Sequence, residues 1–491
     1  MRSARSRWAS RAFLPRRPRT PLVTVTDEEV GFRSARGPVL IALMLATGLI
    51  AIESTIIATA VPSIVKDLGG FAQFPWLFSV YLLAQAVSVP VYAKLADTVG
   101  RTPIILTGIG LFLLGSILCG FAWDMTSLIV FRAVQGLGAG AVLPVSVTIA
   151  GDIYTVRERA KAQGYLASVW AISSVVGPTL GGLFSQYLDW RWIFFVNIPL
   201  CLLAAYMLRR HHKETIERTN HRVDIAGASV LTVGLTLVIL AVLEGGNAWD
   251  WLSWQSLTAF GTGAVLLVIF GFIEQRAAEP VLPLTIFRRR LITTTSLISL
   301  GVGAILVGLT SFVPTFLEVS AGATPLVGGL AVAALTLGWP ITASQSGRIY
   351  LRVGFRPTAL MGLATSVAGA LMLWASAGTP NAFLVAGSCF VVGLGLGLVA
   401  TPTLIAAQSS VQWEERGVVT GANMFMRSIG SAVGVAVFGA IANSVIARSG
   451  GPDSAAAVQS GSSAVFLAVI IAAALTIVAG LVMPAVRAPA A

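Results

Sequence analysis

Residues 38–62, PVLIALMLATGLIAIESTIIATAVP, form a nearly unbroken apolar run that holds one ionisable side chain, Glu53. About 20 apolar residues cross a bilayer, so the run is long enough to span one and too long for the apolar core of a signal peptide. A charge at mid-bilayer costs about 2.5–3.5 kcal/mol even on insertion scales, which marks an acid in such a place as functional.

The rest of the chain has the same character. Of 491 residues 56% are hydrophobic and 11% charged, against about 25% charged in soluble domains, so this is an all-α integral membrane protein. The net charge of +12 lies in short basic tracts between apolar runs, the pattern of membrane-flanking charges, and excludes nucleic acid as a partner. Cys119, Cys201 and Cys389 all lie within apolar runs without disulfide or metal-ligand spacing and read as small core residues. Nine arginines precede residue 37, and the first acid is Asp27. TDEEVGFRSARGP (26–38) reads as a natural cytosolic lead-in, and residues 1–25 as an extension from an early start site. No HExxH, GxSxG or phosphate-loop pattern occurs, so no catalytic residue, metal or cofactor is expected and the chain does not read as an enzyme.

Spans are expected near 38–62, 75–96, 103–122, 124–150, 160–186 and 191–209, then 223–244 and 255–274, then 291–317, 325–346, 356–375, 382–406, 417–446 and 463–485. This predicts fourteen helices arranged as 6+2+6: a basic cytosolic tail (1–37), a six-helix bundle (38–209), a linker (210–222), two inserted helices (223–274), a linker (275–290), a second six-helix bundle (291–485) and a cytosolic tail (486–491). With both termini inside, only Lys66, Arg191 and Arg448 lie outside and Arg132 and Arg427 within spans, leaving the other 28 of 33 basic residues on the cytosolic side.

A repeat links the two six-helix blocks. AKLADTVGRTP (93–103) and GRIYLRVGFRP (347–357) occupy equivalent loops, each with a basic residue second, a glycine eighth and a proline eleventh. Such symmetry is typical of transporters that rock two related bundles about a midplane site.

Four motifs carry a family resemblance: IESTIIATAVP (52–62), AKLADTVGRT (93–102), RAVQGLGAG (132–140) and SSVVGPTLGG (173–182). In this order the chain resembles the major facilitator superfamily, in its fourteen-helix drug:proton antiporter (EmrB/QacA-like) branch, over nearly all of 38–485. It departs from the family in having Glu53 for the usual aspartate, Ala93 for the loop's opening glycine, and Thr98 and Thr102 at two usually basic positions. The resemblance implies a secondary active exporter in the plasma membrane, the inner membrane in a bacterium, that exchanges protons for a small amphipathic or cationic compound as a monomer. The rivals are a specific proton-coupled exporter of a metabolite or lipid and, more remotely, an intramembrane sensor or enzyme.

Glu53 lies nine residues before Pro62 and Arg132 eight after Asp124, so both are expected about 12–14 Å below the outer surface, facing each other across a cavity. Three readings stand for this pair: proton coupling, a permanent structural ion pair, and direct substrate contact. The only histidines, His211, His212 and His221, lie in the cytosolic linker, which leaves proton transfer to carboxylates, with Glu318 as the second candidate. The resemblance makes Asp97, Gly100, Arg101, Asp152 and Arg427 a gate. Arg101 would pair with Asp152, and Asp97 with a helix dipole or Arg427; a topology anchor is the alternative for Arg101. It also makes Gly177, Pro178, Gly181 and Gly182 the antiporter motif, for which close helix packing is the alternative. Tyr81, Gln85, Gln135, Trp170, Glu318, Asn423 and Met424 are the candidate substrate-cavity residues.

Overall fold

The structure, a computed structural model of the chain, describes residues 31–485 apart from 155, 213, 215–223, 246–247, 278–279, 281, 283, 412–415 and 453. The tails expected at 1–37 and 486–491 therefore lie largely outside the described residues. The helices are α1 (Gly37–Leu68), α2 (Phe74–Val99), α3 (Arg101–Gly120), α4 (Met125–Ile153), α5 (Val156–Tyr187), α6 (Trp192–Phe195), α7 (Asn197–His211), α8 (Ile225–Glu244), α9 (Trp254–Arg276), α10 (Arg290–Ala321), α11 (Pro325–Val353), α12 (Phe355–Ser376), α13 (Ala382–Ser409), α14 (Arg416–Arg448) and α15 (Ala455–Val482). Fourteen spans among the described residues are long and apolar enough to cross a membrane, the short α6 and α7 together making one, Trp192–His211.

Three ends lie six to eight residues beyond the expectation, one of them that of α11, which runs to Val353 rather than 346. α1 does not stop at Pro62 but continues to Leu68, carrying Lys66 in its last turn. In a membrane helix, neighbouring side chains and packing absorb the hydrogen bond a proline removes, so Pro62 interrupts nothing. The last span starts at Ala455 rather than 463, because the Ser454 side chain accepts from the Ala457 amide and caps it there. Other starts are fixed the same way: Asp124 and Ser127 form a reciprocal capping box on α4.

Packing repeats between the two blocks. In the first, α1 packs on α5 and α7, α2 on α4, and α3 on α4 and α7; in the second, α10 packs on α14 and α15, α11 on α13, and α12 on α13 and α15. The loop repeat has the same backbone meaning in each: Gly100 (φ 120°) separates α2 from α3, and Gly354 (φ 92°) separates α11 from α12. Both angles are open to glycine and strained for other residues.

The blocks meet along two seams, α5 against α11 and α2 against α14, and α8 of the inserted pair packs on α2 and α14. At the end away from the termini both seams are shut. A Cβ at Gly182 would lie 2.7 Å from Leu326 Cα, one at Gly329 2.5 Å from the Pro178 carbonyl oxygen, and one at Gly439 2.6 Å from Pro75. Across the second seam Ser79 Oγ donates to the Ala432 carbonyl (3.1 Å), and Asn443 Nδ2 donates to that of Ala72 (2.8 Å).

At the terminus-bearing end the same helix faces part. Eleven residues make almost three turns and so repeat a face. Val435 is 0% exposed, yet Met424, eleven residues earlier, is 47% exposed. A Cβ at Gly421, eleven residues before Ala432, meets nothing within 4 Å. On α5, Trp170, in the half nearer the termini, is 43% exposed. The interior is thus sealed at one end and open at the other.

The tight far-end contact yields a prediction. Gly182→Leu cannot be housed without separating α5 from α11, because the nearest atoms are backbone. It should open the seam and raise labelling of a cysteine placed at the buried Thr59 by an impermeant maleimide at least several-fold, over the background of the buried Cys119, Cys201 and Cys389. Unchanged labelling would mean that the seam absorbs the side chain.

Candidate functional site: a sealed ion pair

α1 brings Glu53 and α4 brings Arg132 into direct contact, with side-chain exposures of 0% and 1%. The two residues expected to face each other across a cavity instead form a closed pair, because α1 and α4 pack together within one block. Arg132 donates to Glu53 Oε1 and to Gln135 Oε1 (2.7 Å), and its Nε donates to the Leu77 carbonyl (3.1 Å). The guanidinium carbon lies 4.2 Å from the centre of the Tyr81 ring, a cation–π contact. The other carboxylate oxygen accepts from Asn197 Nδ2 (2.8 Å) on α7. Ser116 Oγ of α3 joins Gln135 Nε2 (2.8 Å) and Asn197 Nδ2 (3.3 Å).

A buried ion pair persists only where its remaining hydrogen-bonding capacity is met, and here nearly all of it is. The exceptions are Asn197 Oδ1 and the Tyr81 hydroxyl, both enclosed without a hydrogen-bond partner. Asn197 and Ser116 were not singled out from sequence. The available signal was the asparagine in FFVNIP (194–199), a lone amide in an apolar run.

At the terminus-bearing end, Arg101 Nε donates to Asp152 Oδ2 (3.2 Å), the pairing expected of the loop motif, and NH1 donates to the Ala96 carbonyl (2.9 Å). Glu214, from the linker after α7, was not foreseen. Its carboxylate accepts from the backbone amides of Arg101 (2.6 Å) and Thr102 (3.1 Å) and so caps α3. Partial burial opposes its charge, but those two amides, the Thr102 hydroxyl and nearby His212 together hold the Glu214 carboxyl below its ordinary range. Gly100 sits under this cap, where a Cβ would come within 2.8 Å of the carboxylate. A second unforeseen pair joins Arg36 to both oxygens of Glu158 (3.0 and 2.9 Å).

Asp97 is in the last turn of α2, its side chain outside the described residues. The α2–α14 contacts pair residues 79 with 432 and 75 with 439, so by register Asp97 falls opposite the start of α14. Arg427 lies eleven residues further along α14, about 16 Å away. The expected Asp97–Arg427 pairing thus involves a side chain outside the described residues.

Gly177 and Gly181 press on α1, where a Cβ would meet Thr55 Oγ1 at 2.0 Å and Thr59 Oγ1 at 2.1 Å, whereas Pro178 and Gly182 face α11. Of the expected cavity residues, Tyr81 and Gln135 belong to the ion-pair network. Asn423 is spent on helix packing: Oδ1 accepts from Ser299 (2.7 Å) and Nδ2 donates to the Thr295 carbonyl (3.3 Å) of α10. Trp170 and Met424 are exposed and Gln85 is half-buried on α2. Glu318 lies near the far end of α10, its Oε1 enclosed without a partner.

Comparison with known proteins agrees with this architecture. The model of the Major Facilitator Superfamily matches residues 43–435. Curated relatives include the multidrug transporter protein MdtP of Bacillus subtilis, 35% identical over 86% of this chain and 77% of that protein. Multidrug resistance protein 3 of the same organism is 33% identical over 83% and 80%, and the efflux pump FUS6 of Gibberella moniliformis 32% identical over 83% and 74%. Among solved structures, a bacterial homologue of the lysosomal transporter Spinster superposes with a TM-score of 0.65 at 17% identity, covering 92% of this chain and 98% of that one. The peptide transporter POT gives 0.64 at 15%, covering 90% and 95%. The chain thus belongs to the major facilitator superfamily of membrane transporters, and its fourteen spans fit that family's fourteen-helix drug:proton antiporter branch.

Proposed function

We propose that the protein exports small amphipathic molecules in exchange for protons, with Glu53 as the group that takes up and releases the proton. The observation that carries this reading is the fit of the Glu53 surroundings to both protonation states. Ionised Glu53 accepts from Arg132 and Asn197. Neutral Glu53 has a hydroxyl to donate, and half a turn of the Asn197 amide brings its unpartnered Oδ1 round to accept it. Arg132 keeps acceptors at Gln135 and Leu77 and the face of Tyr81, so it is not stranded when the carboxylate loses its charge.

The pair is out of contact with solvent, so its proton exchanges only when the helices move. That requirement is what joins proton transfer to alternating access. On this reading the blocks 38–209 and 291–485 rock against each other, opening now at one end and now at the other. The Arg101–Asp152 contact and the Glu214 cap gate the terminus-bearing end, and Gly177, Pro178, Gly181 and Gly182 seal the far end. The excess of basic residues in the loops supports a cytosolic side for both termini and for the open end; on this reading the membrane is the plasma membrane and a single chain suffices for transport. The multidrug transporters and efflux pumps among the relatives support export as the direction.

The test is proton flux in vesicles reconstituted with the purified chain. Adding an amphipathic substrate on one side should release protons on the other, in proportion to substrate moved. Substrate movement without proton movement would overturn the coupling.

A further inference from the structure

Two arginines lie inside spans, and their surroundings differ sharply. Arg132 has the partners described above. Arg427, eleven residues along α14, has its backbone carbonyl pinned by the Ser431 hydroxyl (3.0 Å) and by close approach to Gly303 of α10. Its guanidinium has no ion-pair or hydrogen-bond partner among the described residues.

A cation left unpaired at this depth is costly, and no acid of the described spans is placed to relieve it. Glu53 is held by Arg132. Glu318 is fifteen residues along α10 from Gly303, about 22 Å away. Arg427 is half-buried, and none of its nitrogens is enclosed. It lies one turn from the exposed Met424, in the half of α14 nearer the termini. By the α2–α14 register it stands level with Gln85.

A guanidinium presents a planar fork of donors that matches a carboxylate through two parallel hydrogen bonds, a geometry lysine lacks. The exposed Met424 one turn away supplies an apolar surface for a hydrophobic scaffold. We infer that the transported molecule is a hydrophobic carboxylate and that Arg427 is the residue that binds its anionic group. This narrows the amphipathic substrate proposed above, sets aside a cationic one, and rests on the export reading.

Equilibrium binding to the purified full chain in detergent, without any gradient, tests it with three fluorescent probes: dansylglycine, its methyl ester and dansylcadaverine. The wild type should bind the acid at least tenfold more tightly than the ester or the amine. Arg427→Gln should weaken the acid at least tenfold, about 1.4 kcal/mol, and change the ester less than twofold. Arg427→Lys keeps the charge without the fork and should fall between; it decides the matter alone if the glutamine variant does not fold. Equal binding of acid and ester by the wild type, failure to bind any probe, or equal losses for acid and ester in the variants overturns the inference. Because no proton gradient is involved, Arg427-dependent binding of the acid would stand even if proton flux in vesicles were absent, and flux could persist were this inference wrong.

Discussion

Vesicles carrying Glu53→Gln should show no uphill export under an imposed proton gradient while still binding substrate within several-fold of the wild type. Glutamine keeps the shape of the side chain and its ability to accept from Arg132, but it cannot titrate at any useful pH. The expected loss is the whole accumulated gradient. One proton entering through about 100 mV gains about 2.3 kcal/mol and a pH unit adds about 1.4, which together sustain roughly a 500-fold ratio for a neutral substrate. The variant should fall to a ratio near one. Removing one member of a buried ion pair destabilises by about 3–5 kcal/mol, so loss of the fold must be separated from loss of coupling. The double variant Glu53→Gln, Arg132→Gln removes both charges and should recover expression without recovering uphill transport. Uphill transport by either variant removes Glu53 from the mechanism.

The second large effect lies in how transport answers to voltage. With Glu53 as the single coupling acid, one proton enters per molecule exported. A departing monocation then cancels the proton's charge and leaves only the pH gradient, about tenfold per unit. A departing carboxylate instead doubles the charge moved, worth about 6 kcal/mol in all, or a ratio on the order of 10⁴. Collapsing the voltage with valinomycin and potassium should therefore cut the steady-state gradient about 1000-fold or more for a carboxylate and about 50-fold for a neutral molecule, and leave a monocation nearly unchanged. If monocation export proves as voltage-dependent as the neutral case, more than one proton moves per cycle. Glu318, with its enclosed and unpartnered oxygen, is the next acid to substitute.

The parts of this structure that could be read from sequence are those set by one residue type at one depth. Span length and number follow from apolar runs, and fourteen were expected and found. Glu53 and Arg132 stand out because charges are rare inside spans. Gly100 and Gly354 stand out because the loop recurs with its glycine in the same place, and both need a backbone angle that other residues avoid.

What escaped reading depends on how each helix is rotated. A helix apolar on all sides carries little periodic signal, so nothing in the chain distinguished Asn197, which completes the ion pair, from Asn423, which only joins α14 to α10. The same blindness turned a sealed contact between Glu53 and Arg132 into an expected cavity, and assigned Tyr81 and Gln135 to substrate. Glu214 was hidden for a different reason. It reaches its partners from 112 and 113 residues away in sequence, from a linker whose polar composition suggested only solvent.

The inserted helices bear on the route a substrate takes. α8 lies against both α2 and α14, with Trp76 donating to Glu244 (3.0 Å) near its far end and Leu243 touching the Gly439 position. It thereby roofs one of the two seams between the blocks, whereas among the described residues neither inserted helix is laid across the α5–α11 seam. A hydrophobic molecule is concentrated within the bilayer rather than in the water beside it, and from there it reaches the central space by sliding sideways between helices. On the export reading proposed above, the bare seam is the flank by which cargo would enter from the leaflet. The roofed flank acts as a wall, and the transporter, symmetric in its repeats, is one-sided toward the lipid.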